Sequence, residues 1–197
     1  GAAGGLLLDH HFPRSPRSSA QTLYGGLVGN AIGAGIPMLA DAPTQTQVGV
    51  MLPVGAAGTL AGGLLGDRLQ LSSGDLSMIG VGTTLTTVEA TTIGFILDER
   101  GVWSGPSQRA GLPFTAAGLA GAGFQALGTQ VEPEVGDMLF LGSAAGWGAT
   151  YGVLTPIALR TEGDGAVLAL VPLLTADTFV ATGALSATFD SGWFGSF

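Results

Sequence analysis

Glu89 is the most pointed chemical residue in this sequence. It stands near the middle of a long uncharged stretch, surrounded by Thr83, Thr84, Thr86, Thr87, Thr91 and Thr92. An ionisable side chain halfway along an apolar helix is costly and is by default a functional hypothesis. A carboxylate among hydroxyls suits a proton or a hard cation, with threonine oxygens as coordinating groups. Two structural readings stand beside this one and take precedence. In the first, a protonated or hydrogen-bonded Glu89 locks two helices together; in the second, Thr86–Thr92 is a helix interruption facing water. Asp177 repeats the pattern near Thr178, Thr182 and Ser186, on a face continued by Ala181. With Glu89 it would line a polar path between helices. No basic residue falls at the same depth, so a proton, water or an outside partner must neutralise the pair.

Other candidates lead away from catalysis. Asp9-His10-His11 contains the DHH string of a phosphoesterase family, but that chemistry needs further aspartates and histidines. These are the only two histidines of the chain, and the later acids lie in separate turns. No metal site is expected. No GxSxG elbow, P-loop or HExxH occurs, and no serine has a histidine base near it in sequence. The chain is therefore read as a non-enzyme without a cofactor. Asn30 and Gln125 are read as interhelical hydrogen-bonding residues, and the pair Trp147 and Tyr151, four apart, as core packing.

Composition narrows the environment. Of 197 residues 35 are glycine, against a usual share of about 7%. Charged residues make up 10%, where soluble domains carry about 25%, and mean hydropathy is +0.49. A soluble globule of this size would lack the residues for a charged skin. The alternative to a bilayer is burial inside a large protein assembly. There are six basic residues, all arginine, and the net charge is −8, which argues against nucleic acid and against a polybasic lipid-binding surface. With no cysteine, disulfides and thiolate metal sites are excluded.

The charges divide the chain into similar blocks. Uncharged runs of 23, 25, 22 and 22 residues cover positions 18–40, 42–66, 110–131 and 138–159. Each reaches the roughly 20 residues that cross a bilayer as a helix. The spacing predicts helices over Ser19–Leu39, Val48–Leu69, Leu76–Leu97, Ala110–Val131, Met138–Leu159 and Ala166–Phe189. Short turns such as Asp41-Ala42-Pro43-Thr44 make neighbours antiparallel. Asp75 and Asp137 sit where they cap helix starts. Pro53 and Pro113 suit first turns of helices that begin later than drawn, and Pro172 suits a kink. Tyr24, Trp103, Trp193 and Phe194 fall near helix ends, where an interfacial aromatic belt would lie. The arginines split evenly between the two sides and give no orientation.

An internal recurrence accompanies the blocks. Residues 4–10 (GGLLLDH) align with 62–68 (GGLLGDR), and more loosely with 93–99 (IGFILDE). The implied unit is one helix plus one turn, about 30 residues long, of the kind that stacks into a solenoid or a wall. Residues 1–18 are read as the end of a preceding helix plus a linker, 19–190 as the helical repeat domain and 191–197 as a tail. A β-barrel alternative rests on the terminal Phe197 and the threonine-rich segment Gly82–Thr92, but Val48–Leu65 lacks the alternation that barrel strands need.

Within the blocks, small residues recur at every fourth position: Gly25, Gly29 and Gly33; Gly58, Gly62 and Gly66; Ala144, Gly148 and Gly152. That step keeps them on one helix face, and such a face lets two backbones approach closely, as helices do in lipid. On these residues the chain resembles, at the level of a class, multi-helix membrane domains packed through glycine zippers. The resemblance implies an all-α array or bundle of about six antiparallel, Gly/Ala-rich helices, repeat-like and transmembrane. The functional expectation is a membrane-embedded structural or assembly subunit whose partners are lipid and further copies of itself or a larger membrane assembly. A pore or ion- or proton-conducting subunit using Glu89 and Asp177 is the alternative, and a soluble helical scaffold the third reading.

Overall fold

The segments between prolines, turns and acidic residues fold as helices, six of them among the described residues. The computed structural model describes residues 16–69, 71–131, 133–158 and 163–193, and the side chains among them except those of 16–18, 67, 166–167 and 183–193. The helices are α1 (Pro16–Leu39), α2 (Thr44–Leu69), α3 (Ser73–Glu99), α4 (Pro106–Gly128), α5 (Val135–Ala158) and α6 (Gly165–Trp193). No strand occurs among the described residues, so nothing there supports the barrel reading. Asp9, His10, His11, Phe194 and Phe197 lie outside the described residues.

Most helices start earlier than the charge spacing suggests, because caps and prolines set the boundaries. At α3 the Ser72 hydroxyl accepts from the Asp75 backbone N–H (3.1 Å), and the Asp75 carboxylate accepts from the Ser72 N–H (2.6 Å). This reciprocal capping box satisfies two donors that a helix start leaves free. Pro106 opens α4, where its missing N–H costs nothing. With these starts Pro53 and Pro113 lie inside α2 and α4 rather than in first turns. Tyr24 lies eight residues into α1, away from the helix end. Asp41 takes a left-handed φ of 51° in the turn after α1, and Gly101 takes 68° after α3; both reversals let a tight turn follow directly.

The helices form a row. α2 packs on α1, α1 on α4, and α4 on α3, while α5 and α6 pack on each other and on α3. Among the described residues α2 does not touch α3, and α4 does not touch α5. The contacts therefore do not run from each helix to the next in chain order. Pairs α1–α2 and α3–α4 join through the α1·α4 contact, and among the described residues α5–α6 joins the rest only through α3.

The polarity of the packing is inverted relative to a soluble globule. Glycine fills much of the interior, and the buried large apolar side chains are few, among them Leu71, Met78 and Ile79. Large apolar side chains point outward on all six helices, with Leu64 76% and Ile157 67% exposed. One helix among the described residues, over Thr44–Gly66, is long and apolar enough to cross a membrane, with a mean hydropathy of 1.7, and little of it is buried. In α6 the apolar stretch Leu168–Thr182 is shorter, and in the remaining helices threonine, glycine and serine dilute the apolarity.

Candidate functional site

The first candidate set is the helix contacts. Gly25 lies against Gly58 and Gly62, Gly29 against Val54 and Gly55, and Gly33 against Met51 and Val54. The partners descend along α2 as the numbers rise along α1. The approach is of backbone to backbone: a β carbon on Gly25 would collide with the Gly58 carbonyl oxygen, and one on Gly58 with the Gly25 carbonyl oxygen. Gly62 meets the Gln21 backbone in the same way. Gly66 is buried on the same helix. Asn30 lies on this seam, its amide oxygen against Gly55.

A second seam runs along the other side of α1. Gly35, Gly111, Gly118 and Gly121 bring α1 and α4 together: Gly111 meets the backbone of Gly35 and Leu39, and Gly118 that of Val28 and Ile32. Sequence reasoning missed it because Gly111, Gly118 and Gly121 are seven and three apart rather than four. The signal was present, since those steps also return to one face of a helix. At the end of this seam Gln125 donates to the side-chain oxygen of buried Gln21 at 2.6 Å. The third seam joins α5 and α6. Gly148 lies on Thr175 and Ala176, Gly152 on Pro172, and the Thr175 hydroxyl donates to the Gly148 carbonyl at 2.7 Å. Here Ala145 is the buried alanine, while Ala144, one residue off that face, lines a surface groove.

Trp147 and Tyr151 belong to that groove rather than to a core. Both are exposed, and they form a run with Phe179 of α6, with ring centroids 6.1 and 5.9 Å apart. Phe140, Ser143 and Thr178 complete a groove of about 590 Å³. The reason is geometric: the small face of α5 already meets α6, so its bulky face turns outward.

The acidic candidates are brought together. Glu89 of α3 and Asp177 of α6 lie close enough for their carboxyl groups to interact. Glu89 is half-buried and Asp177 exposed. Four of the six threonines around Glu89 keep their hydroxyl protons within their own helix. Thr84, Thr87, Thr91 and Thr92 each donate to the carbonyl four residues earlier, at 2.6 to 3.0 Å. α3 runs through this segment unbroken, so no water-facing interruption exists there. Among the described residues no group of three metal-type side chains converges.

One end of the row is polar. Arg109 pairs with Asp98 at 2.8 Å and lies over the Phe95 ring, and Arg100 pairs with Asp164 at 2.7 Å. The Trp103 indole N–H donates to the Gly94 carbonyl at 2.9 Å. Ser104 reaches Asp41, tying the α1–α2 turn to the segment before α4, and Gln47 reaches Ser107, linking the starts of α2 and α4.

No family model, curated protein or solved structure matches this chain.

Proposed function

We propose that the chain is a membrane-embedded structural or assembly subunit, a scaffold of antiparallel helices held together by glycine-lined contacts. The observation that carries this is the inverted polarity: backbones meet at glycine inside, and leucine, isoleucine and phenylalanine face out. In water that arrangement forfeits the main stabilising term of folding. In lipid the outward side chains are already solvated, and close packing of small residues is what holds helices together. The descending order of partners from α1 to α2, from α1 to α4 and from α5 to α6 supports antiparallel neighbours. The outward apolar faces favour lipid and further copies of the chain, or subunits of a larger membrane assembly, as partners.

The neighbouring carboxyl groups of Glu89 and Asp177 favour a second reading, an ion- or proton-conducting subunit with this pair on its path. The experiments separate these readings. A scaffold partitions into membranes, needs detergent for extraction, and gives liposomes no conductance above background. Conductance that falls in Glu89→Gln supports the second reading instead. Extraction in soluble form without detergent overturns both and leaves a soluble helical scaffold.

A further inference from the structure

One face of α1 is hollow. Leu27, Ala31, Ala34 and Met38 follow each other at helical spacing, which keeps them on that face. The two alanines at its middle leave a pocket of about 590 Å³, walled by Met51 of α2 and Phe114 of α4. Along α1 it runs from Met38 to Tyr24, about 21 Å at 1.5 Å per residue. No charged side chain lines it among the described residues. Ligand pockets share this size and this makeup, a hydrocarbon wall with a few polar groups.

Two of those polar groups are hydroxyls without an acceptor. Gly121 has no side chain, so the Tyr24 ring reaches over α4; a methyl added there would lie 2.6 Å from the Tyr24 hydroxyl oxygen. Thr83 of α3 lines the same pocket. Both hydroxyl oxygens are buried, and neither has a hydrogen-bond partner among the described residues. Thr83 differs in this from Thr84, Thr87, Thr91 and Thr92, whose protons go to their own helix. A bond between the two hydroxyls would use one proton and leave the other without an acceptor. Since both residues line the pocket, a rotamer change turns that spare proton into it.

The wall selects among occupants. Water at about 30 Å³ per molecule would need about 20 molecules to fill the pocket, and an apolar wall offers most of them no hydrogen bond. An ion would meet no counter-charge. Plain hydrocarbon suits the wall but leaves the spare proton unpaired, at the full cost of a buried donor. The ester carbonyl of a phospholipid lies beside a charged headgroup, which this wall cannot take. A quinone carries its carbonyl oxygens on an uncharged ring. From the hollow face, the uncharged wall and the spare hydroxyl proton, we infer that this pocket binds a lipid-soluble quinone. Its hydrocarbon part lies along α1, and a ring carbonyl accepts from Tyr24 or Thr83. The inference goes beyond the scaffold reading and does not rest on it, because the test offers the probe in detergent micelles.

The probes are a decyl-substituted benzoquinone and decylbenzene, which has the same tail without carbonyls. Retention of each radiolabelled probe on the immobilised full chain, over empty micelles, is followed against its mole fraction in the micelle. The quinone binds saturably and decylbenzene about three- to tenfold more weakly, the range one neutral hydrogen bond supplies. Tyr24→Phe and Thr83→Val keep the shape of the wall; at least one of them weakens quinone binding by the same factor, and neither alters decylbenzene. Equal binding of the two probes overturns the inference, leaving a hydrocarbon groove, as does quinone binding that is not saturable or that both variants leave unchanged. Thermal unfolding without probe supplies the second measurement. Hydroxyls that lack a partner in the chain can be removed without loss, so the melting temperatures of both variants match or exceed the parent's. A fall of more than about 4 °C in both, the size of one lost intramolecular bond, places the partners inside the chain and overturns the inference as well.

Discussion

Alanine at Gly29 and alanine at Gly80 should change stability in opposite directions. Both glycines lie inside helices, so both substitutions gain about 1 kcal/mol of helix propensity. They differ in what the new methyl meets. At Gly29 it would lie 2.5 Å from the Val54 carbonyl oxygen, 3.1 Å from the Gly55 α carbon and 3.2 Å from the Val54 carbonyl carbon. Comfortable separations between carbon atoms are about 3.5–4.0 Å, so α1 and α2 must part by roughly 1 Å. All three opposing atoms are backbone and cannot rotate away. The seam is continuous through Gly25, Gly33, Gly58 and Gly62, so the loss spreads along it. Overpacking of this kind costs about 1–3 kcal/mol. At Gly80 nothing lies within 4 Å of the new methyl, and only the propensity gain remains. Propensity cancels in the comparison, leaving a gap of about 1–3 kcal/mol from contact alone. For a chain of this size each kcal/mol moves the melting temperature by about 2–4 °C. Thermal unfolding followed by far-ultraviolet circular dichroism, in one mild detergent for both variants, reads the gap. Equal shifts of the same sign in the two variants would refute the assignment of the close α1·α2 contact to these glycines.

Further outcomes follow from single contacts. Gln125→Leu strands the buried side-chain oxygen of Gln21 and should cost about 1–3 kcal/mol, whereas the double substitution with Gln21→Leu should recover most of that loss in a denaturation cycle. Ser72→Ala removes half of the capping box on α3 and should cost about 1 kcal/mol by the same measurement, with Ser72→Thr close to the parent. Arg100→Gln breaks an ion pair that is about half exposed on both sides and should change stability by less than about 1 kcal/mol, with a still smaller effect at high salt. Pairing Gly25→Ala with Gly58→Ala should cost less than the sum of the single changes, because the parting of α1 from α2 that relieves one clash also relieves the other.

How much of this was legible in the sequence depends on the range of the interaction. The α1·α2 seam was readable because its glycines recur at the step that aligns a helix face. The α1·α4 seam used the same physics with steps of seven and three, and in a chain so rich in glycine those steps do not stand out. Depth along a helix was also readable: Glu89 and Asp177 lie mid-helix in the sequence and inside α3 and α6 in the fold. Helix starts were misjudged where Ser72, Asp75 and Pro106, rather than the first apolar residue, set the boundary. The role of Trp147 and Tyr151 was misjudged because spacing says that two side chains share a face without saying whether it points in or out.

Neighbour order was the least legible feature, and its physical cause bears on function. Short turns allow consecutive helices to pair, as α1 does with α2, α3 with α4 and α5 with α6, but do not compel it, since the short link at 70–72 joins α2 and α3, which do not touch. They do not dictate which helix of one pair meets which helix of the next. That choice falls to the faces left over, and on α1 the leftover face carries Tyr24, Val28 and Ile32, whose bulk fits the hollows at Gly118 and Gly121 on α4. α1 and α4 thereby become the interior of the first four helices, and α2 is left at one edge with its apolar face outward. α3 turns one face to α4, through Gly82 against Phe124 and Gly94 against Arg109 and Leu112. Its remaining contacts are with α5 and α6, where Gly74 lies on the Pro133 backbone just before α5 and Gly142 meets Val81 at ordinary contact distance. Helix pairs joined by continuous backbone contact resist separation along their whole length, because each local opening forfeits many small attractions at once. The junction of α3 with α5 and α6 is closest at its two ends, where Gly74 meets the Pro133 backbone and Arg100 pairs with Asp164.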